Sequence, residues 1–229
     1  SSKKNKKFII NKNDRYAERF AKIAGKDAVF YGKYEGELSL IGDFNKENAA
    51  AAVEVARALR ISDDVIKKAL ASFSGVPGRM DFVQSEPFRV VVDYAHTPGS
   101  LEAAYGALKA DGGDLICVFG SDGGGRDKWK RPKLGEIASK YCRDIVLTIE
   151  NPYNEDPKKI IDEIRAGIHS DKAVHEVLDR RDAIKKAVGL ARPGDTVILT
   201  GKGTEPFIRI AEGKKIPWSD REEAIKALR

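Results

Sequence analysis

The chain has 229 residues, 41% apolar and 33% charged, with a formal net charge of +6. That is enough for one large domain or two small ones in a soluble globular protein, and no apolar run approaches the roughly 20 residues that span a bilayer. Lys and Arg are interleaved with Asp and Glu outside Lys3–Lys7 and Arg126–Lys133, which argues against a nucleic-acid-binding module.

The basic start, SSKKNKKF, has no apolar stretch behind it and is not read as a secretory signal. Lys7–Asn11 reads as a short strand. Asp14–Ala24 has helical spacing, with Tyr16, Phe20 and Ile23 on one face. Ala28–Tyr31 and Leu38–Ile41 read as short strands around a turn at Lys33–Gly36. The Ala-rich segment Glu47–Leu59 predicts a helix, because Ala carries the lowest helix cost. Asn45 is its expected N-cap, which places Asn48 in the first turn, where an amide has no propensity reason to be. A second helix starts at Ser62-Asp63-Asp64 and runs to Phe73. Val76-Pro77-Gly78 forms a turn, with Arg79 directly after it.

From Phe88 onward strands and helices alternate. Strands are expected at Phe88–Ala95, Leu115–Phe119, Asp144–Ile149, Ala173–Val177 and Asp195–Thr200. Helices are expected at Gly99–Ala110, Lys133–Tyr141, Pro157–Ile168, Arg181–Leu190 and Arg221–Leu228. This rhythm predicts an α/β fold: a mostly parallel, Rossmann-like sheet with helices on both faces. A domain boundary is expected near Met80–Phe82, so that 1–80 is the tail of one domain and 81–229 a whole one.

Ligands of open α/β sheets bind outside the carboxyl ends of the strands. Four such ends carry polar or charged residues here. The first has Asp93, Tyr94 and His96. The second opens FGSDGGGRDKWKRP, where Gly123–Gly125 and the cations Arg126, Lys128, Lys130 and Arg131 suit either an anionic ligand or a solvated basic loop. The third has Glu150, Asn151 and Tyr153, ahead of Asp156-Pro157, a helix start that explains itself. The fourth has Gly201-Lys202-Gly203, read as a turn, and then Glu205. Four such loops in a row make a functional crevice the better reading. Neither GxxxxGK[ST] nor GxGxxG occurs, and no GxSxG supports a hydrolase. Cys117 and Cys142 sit in apolar surroundings and are read as reduced core thiols. Three histidines without a CxxC do not suggest a structural zinc site.

GDFNKENAAAA, GVPGRMD, VVVDYAHTPGSLEAA, VFGSDGGGRDKWKRPKLG, TIENPYNEDP, and GKGTE followed by WSDREEA, in this order from Gly42 to Ala224, resemble the Mur ligase family. The nearest branch makes UDP-N-acetylmuramoyl tripeptide. The resemblance covers only the end of the family's central ATPase domain and its C-terminal Rossmann-like domain. It implies a cytoplasmic, monomeric, ATP- and Mg2+-dependent ligase that joins an amino acid to a UDP-N-acetylmuramoyl peptide through an acyl phosphate. The Walker lysine, the Mg2+ ligands and a modified lysine are expected upstream, so this stretch alone is expected to be inactive. By motif, Asn48, Arg79, Asp93, Tyr94 and His96 resemble the ATP-binding residues: Asn48 at adenine, Arg79 at the ribose–phosphate region, and Asp93 accepting from the ribose hydroxyls. Arg126, Glu150, Asn151, Tyr153, Gly201 and Glu205 resemble the amino-acid pocket, with Arg126 on the substrate carboxylate. No catalytic residue or metal ligand is assigned to this chain, and neither membrane nor nucleic acid is an expected partner.

Two departures from the family pattern stand out. Diaminopimelate-adding enzymes carry Asp-Asn-Pro-Arg where this chain has Glu150-Asn151-Pro152-Tyr153. A neutral phenol does not replace that arginine, and Glu150 and Glu205 make the pocket acidic. A substrate with a distal amine, such as lysine or ornithine, is therefore expected rather than meso-diaminopimelate. GKGTE also departs from the commoner GKGHE. The rival readings are a folate- or cyanophycin-type ligase and a non-catalytic Mur-like binding module.

Overall fold

In this computed structural model, which describes residues 6–229, the chain divides into two compact units, one ending at Ser74 and one spanning Gly75–Arg229. Lys3 and Lys4 of the basic start lie outside the described residues.

The first unit contains β1 (Phe8–Asn11), α1 (Ala17–Ala24), β2 (Ala28–Tyr31), α2 (Asp43–Ala58) and α3 (Asp63–Ser72). β1 and β2 pair in parallel. Their small core is Ile10, Ala17 and Ala24, with Ala21 and Ala28 packed against it. The apolar face expected on the first helix is not the buried one: Ile23 is 73% exposed and Phe20 54%. The strand expected at Leu38–Ile41 does not form, because α2 begins at Asp43 and this segment is its irregular approach. Asn45 consequently lies inside the helix rather than capping it, and its Nδ2 donates back to Ile41 O at 2.8 Å. Asn48 falls in the second turn of α2, not the first.

The second unit holds β3 (Asp81–Gln84), β4 (Arg89–Val92), α4 (Pro98–Ala110), β5 (Leu115–Phe119), α5 (Lys130–Tyr141), β6 (Cys142–Leu147), α6 (Pro157–Arg165), β7 (Ala173–Glu176), α7 (Arg180–Leu190), β8 (Thr196–Leu199), β9 (Phe207–Arg209), β10 (Lys215–Pro217) and α8 (Asp220–Ala227). Six strands form one sheet in the order β3-β4-β8-β5-β6-β7. Every pair is parallel except β3 with β4. β9 and β10 make a separate antiparallel pair. β3 and this hairpin were not expected; each strand is only three or four residues long, too short to show a period.

The helices lie where the strand order puts them. The chain steps outward from β5 to β6 to β7, then returns through α7 to insert β8 between β4 and β5. Right-handed crossovers that reverse direction place their helices on opposite faces. One face packs Val90, Val92, Ile116, Val118, Val197 and Leu199 against Ala183, Ile184 and Ala187 of α7 and Ala224 of α8. The alternate residues Val91, Cys117, Ile145 and Ile198 point the other way and are also fully buried. Burial on both faces is why these strands read as unbroken apolar runs. Both cysteines are free and buried, and burial pushes the Cys142 thiol up.

The helix ends follow from the sequence. Thr97 caps α4 in a reciprocal box with Ser100. Asp156 Oδ1 accepts from Lys158 N at 2.9 Å at the start of α6. No helix among the described residues is long and apolar enough to cross a membrane.

α5 and α6 approach closely because glycine faces backbone. A Cβ at Gly135 would stand 2.2 Å from Ile164 O. Gly135→Ala is therefore expected to destabilise the fold by about 1–3 kcal/mol through overpacking. A Cβ at Gly189 of α7 would have no neighbour within 4 Å, so Gly189→Ala is expected to stabilise by about 0.5–1 kcal/mol. Urea denaturation of both variants reads the two signs.

Candidate functional site

Because β8 lies between β4 and β5, the loops after β4, β8, β5 and β6 leave the sheet along one edge. Asp93 follows β4 and is buried. Its Oδ2 accepts from Met80 N at 2.8 Å and its Oδ1 from Ala95 N at 2.7 Å. Burial pushes this carboxyl up, against those two amides and the charge of Arg79. Asp93 thus ties the Gly75–Gly78 turn to the strand end while each oxygen keeps a lone pair for another donor. Met80, in the left-handed region at φ 46, is held by that bond.

Arg79 lies over the Tyr94 ring at 4.4 Å, and Tyr94 meets His96 edge-on at 4.8 Å. The Tyr94 hydroxyl donates to Glu205 Oε1 at 3.2 Å. Burial, then the Glu205 charge, pushes the phenol up. Lys130 Nζ donates to His96 O at 3.0 Å, so one cation of the basic loop fixes the turn after β4.

The pivot of the second half is Lys202, which sequence reasoning took for part of a turn. Its side chain is fully buried. Nζ donates to Glu205 Oε2 at 2.6 Å, Phe207 O at 2.7 Å and Asn151 Oδ1 at 2.8 Å. Asn151 Nδ2 donates to Glu205 Oε2 at 3.1 Å and to Asp122 Oδ1 at 2.9 Å. Burial alone would raise the Glu205 carboxyl, but Lys202, Asn151 and Tyr94 hold it below its usual range. Asp122 was also missed; nothing in the loop's sequence separates it from Asp127. The signal for Lys202 was the acid three residues on, at Glu205.

Glu150 is 4% exposed. No described residue hydrogen-bonds its carboxyl. A Cβ at Gly201 would meet Glu150 Oε2 at 2.4 Å, so only glycine lets the two loops close this far. Burial, followed by Asp122, pushes Glu150 up to about 8, although Arg180, Lys130 and Lys202 oppose the shift.

The glycine-rich loop is explained first by packing. A Cβ at Gly123 would lie 2.2 Å from Pro152 O, and one at Gly124 would lie 2.9 Å from the Tyr153 ring. Most of the basic cluster is engaged as well. Lys128 pairs with Glu155 at 3.1 Å. Arg131, wholly buried, pairs with Glu155 at 3.1 Å and Glu163 at 2.6 Å. Glu155 is held at about 2 against its burial by Gly125 N–H, Lys128 and Arg131. Arg126 alone of the four is exposed with no ion pair to a described residue. Tyr153 is half-buried in a left-handed conformation (φ 52), and its N–H donates to Arg209 O at 3.1 Å.

The second unit therefore gathers Arg79, Asp93, Tyr94, Glu150, Asn151, Tyr153, Gly201 and Glu205 along one edge, with His96 and Arg126 on the same loops. Asn48 belongs to the first unit, exposed on α2, with Nδ2 at 3.5 Å from Asn45 Oδ1. Among the described residues no three His, Cys, Asp or Glu side chains group to hold a metal ion. Chemically, the edge offers donors and acceptors for a polar ligand, a free guanidinium, and two carboxyls of contrasting protonation.

The family model for the Mur ligase, glutamate ligase domain, matches residues 78–203. The chain is 40% identical to a UDP-N-acetylmuramoyl-L-alanyl-D-glutamate–2,6-diaminopimelate ligase of Aquifex aeolicus, over 96% of this chain and 51% of that protein. It is 44% identical to the protein of the same name from Synechocystis, over 96% of this chain and 46% of that one. A solved structure bearing this name superposes with a TM-score of 0.64 at 30% identity, over 97% of this chain and 53% of the other. The chain thus spans about half the length of the curated relatives it matches.

Glu150 gives a pH test of the site. Its folded value, about 8, lies above the usual carboxyl value of about 4.3. A carboxyl raised on folding stabilises below its unfolded value, and that contribution is lost as pH rises toward the folded one. Between pH 5 and 8 the wild type is expected to lose stability relative to Glu150→Gln by up to about 1.4 kcal/mol per pH unit, levelling off above 8. Parallel stability curves for the two proteins would show that Glu150 ionises normally.

Proposed function

The chain belongs to the Mur ligase family, and from that premise we propose that it is the amino-acid-receiving part of an ATP-dependent ligase of peptidoglycan-precursor synthesis. The reaction adds an amino acid to a UDP-N-acetylmuramoyl peptide in the cytoplasm. The observation that carries this reading is the single polar edge where the Arg79–Tyr94–Asp93 group and the Glu150–Asn151–Glu205 group share the Tyr94–Glu205 hydrogen bond, 3.2 Å long. That bond lies between residues we assign to nucleotide and residues we assign to amino acid.

ATP would supply a phosphoryl group to the peptide carboxylate; the incoming amine then attacks the acyl carbon, forms the amide and releases phosphate. The role of this chain is positioning and charge. Asp93 has lone pairs left for ribose hydroxyls, and Arg79 is exposed and free to meet phosphate oxygens. Asn48 is assigned to adenine. Arg126 is assigned to the amino acid's carboxylate, which suits an unpaired guanidinium. Magnesium is assigned to residues that the family resemblance puts upstream of this stretch. We propose no covalent role for any residue here.

For the amino acid, we favour one with a distal amine. Glu150 is a carboxyl without a partner among the described residues, whereas Glu205, Lys202 and Arg131 are already committed to protein partners. An ammonium ion beside Glu150 would draw its proton off and form the pair that this carboxyl lacks within the protein. A second reading, meso-diaminopimelate, is favoured by the names of the relatives.

The test joins this chain to the family's upstream ATP-binding half and follows phosphate release with UDP-N-acetylmuramoyl dipeptide, ATP and Mg2+. Release with lysine or ornithine at least 10-fold faster than with meso-diaminopimelate is expected; the reverse order would establish the second reading, and no release with any of the three would sink the ligase proposal. Arg126→Ala is expected to raise the amino-acid KM by about 10–100-fold, the loss of a charge-assisted pair of about 1.5–3 kcal/mol, with the KM for ATP little changed.

A further inference from the structure

The WSDREEA segment near the end of the chain has no part in the site just described, yet it reaches the site through one side chain. Arg180, the first residue of α7, is fully buried with Asp220 of α8. Its Nε donates to Asp220 Oδ1 at 2.8 Å and its Nη2 to Asp220 Oδ2 at 2.7 Å. Trp218 Nε1 donates to the same Asp220 Oδ1 at 2.7 Å. Two further donors go to backbone: Nη2 to Thr200 O at 2.9 Å and Nη1 to Ile149 O at 3.2 Å.

Those two carbonyls lie just past the ends of β8 and β6, and the next residues are Gly201 and Glu150. β5 lies between the two strands, so the guanidinium bridges from one flank of β5 to the other. Carbonyls at strand ends lack a ladder partner and need a donor when buried. A buried ion pair is a poor explanation for stability, since an apolar pair of the same volume is often as stable. Only a planar fork with five donors meets a carboxylate edge and two separate carbonyls at once; an ammonium does not.

We propose that Arg180, locked by Asp220 and Trp218, is a positioning residue for the amino-acid pocket. It fixes the ends of β6 and β8, and so sets the contact of Glu150 with Gly201. That contact tolerates little movement, because a Cβ on Gly201 would already sit 2.4 Å from Glu150 Oε2. The groups that face Glu150 are Asp122 from the loop after β5, Lys130 from α5, Lys202 from the loop after β8 and Arg180 itself. Arg180 is the one cation among them that holds backbone on both sides of the contact. The inference rests on the assignment of Glu150 to the pocket.

The test has two arms. In the first, the chain is labelled with 13C at glutamate carboxyls, and Glu150 is identified by the resonance lost in Glu150→Gln. The double variant Arg180→Gln/Asp220→Asn removes the buried charges while nearly keeping shape; the Glu150 titration midpoint is expected to rise by at least half a unit. Arg180→Lys keeps a charge but not the fork. In the second arm, the ligase assay above is run with both variants: the amino-acid KM is expected to rise at least 10-fold in each, with the KM for ATP within 2-fold. Folded variants with an unmoved midpoint and an unmoved amino-acid KM would overturn the proposal. Equal loss in kcat and in every KM would also overturn it, since that marks a merely structural residue. If neither variant folds, Trp218→Phe decides by the same readouts, with a smaller shift in the same direction expected and no shift overturning. A wild type without ligase activity whose Glu150 midpoint still responds would remove the functional reading and leave the clamp.

Discussion

The Lys202 ammonium is buried, and its three protons go to three acceptors, on Asn151, Glu205 and Phe207. A buried charge is tolerated only when its donors are satisfied. Here satisfying it requires the loop after β6, the loop after β8 and the start of β9 to converge on one point. Asn151 then has its amide free for Asp122 and Glu205, and Glu205 is left ionised to accept from Tyr94. The polar edge of the sheet is in this sense built outward from one cation, and the groups still without a protein partner are those it leaves over.

The charges along the edge divide into those already committed and those still free. Arg131, Lys128 and Lys130 read in sequence as either a cluster waiting for an anion or a solvated basic loop. In the fold they hold Glu155, Glu163 and the carbonyl of His96. Arg126 is left exposed. On the acidic side Glu205 is matched and Glu150 is not. Burial and Asp122 thus push one carboxyl up while Lys202, Asn151 and Tyr94 pull the other down, a contrast that could let a site take up a cation and release a proton in one event.

Much of the fold could be read from residues alone because the parallel strands are buried on both faces. Leu115–Phe119 has no polar residue and is bounded by Gly and Asp, so its extent was readable to the residue. Thr97-Pro98 and Asp156-Pro157 announce their helices through caps that do the same work in any context. Leu38–Ile41 misled because an apolar pair beside a turn resembles a strand until the start of the next helix is known. The spacing of Tyr16, Phe20 and Ile23 marked the first helix, but spacing shows which residues share a face, not whether anything covers it. For the candidate site, the position of a polar residue after a strand was enough to put Asp93, Glu150 and Glu205 on one edge of the sheet. It was not enough for Lys202, Asp122 or Arg180, whose roles depend on partners up to 51 residues away in sequence, as Lys202 and Asn151 are. The glycines of the loop after β5 were half understood: they do permit close approach, but the partner at Gly123 and Gly124 is the protein itself.

The place of β8 has a consequence for how the molecule assembles. It pairs with β4 on one side and β5 on the other, matching Val92 to Leu199 and Val118 to Leu199 in register. Until this late segment of the chain arrives, the sheet is two separate pieces, each with a bare inner edge of unpaired amides and carbonyls. Bringing Val92 to Leu199 closes a loop of about a hundred residues, a slow kind of contact. The edge that carries Asp93, Gly201 and Glu150 therefore comes into being only with the last strand of the sheet, and a nascent or partly unfolded chain has no partial version of it. Ligand affinity at this edge would then report on completed chains alone, and a bound ligand would act as a latch on the central strand.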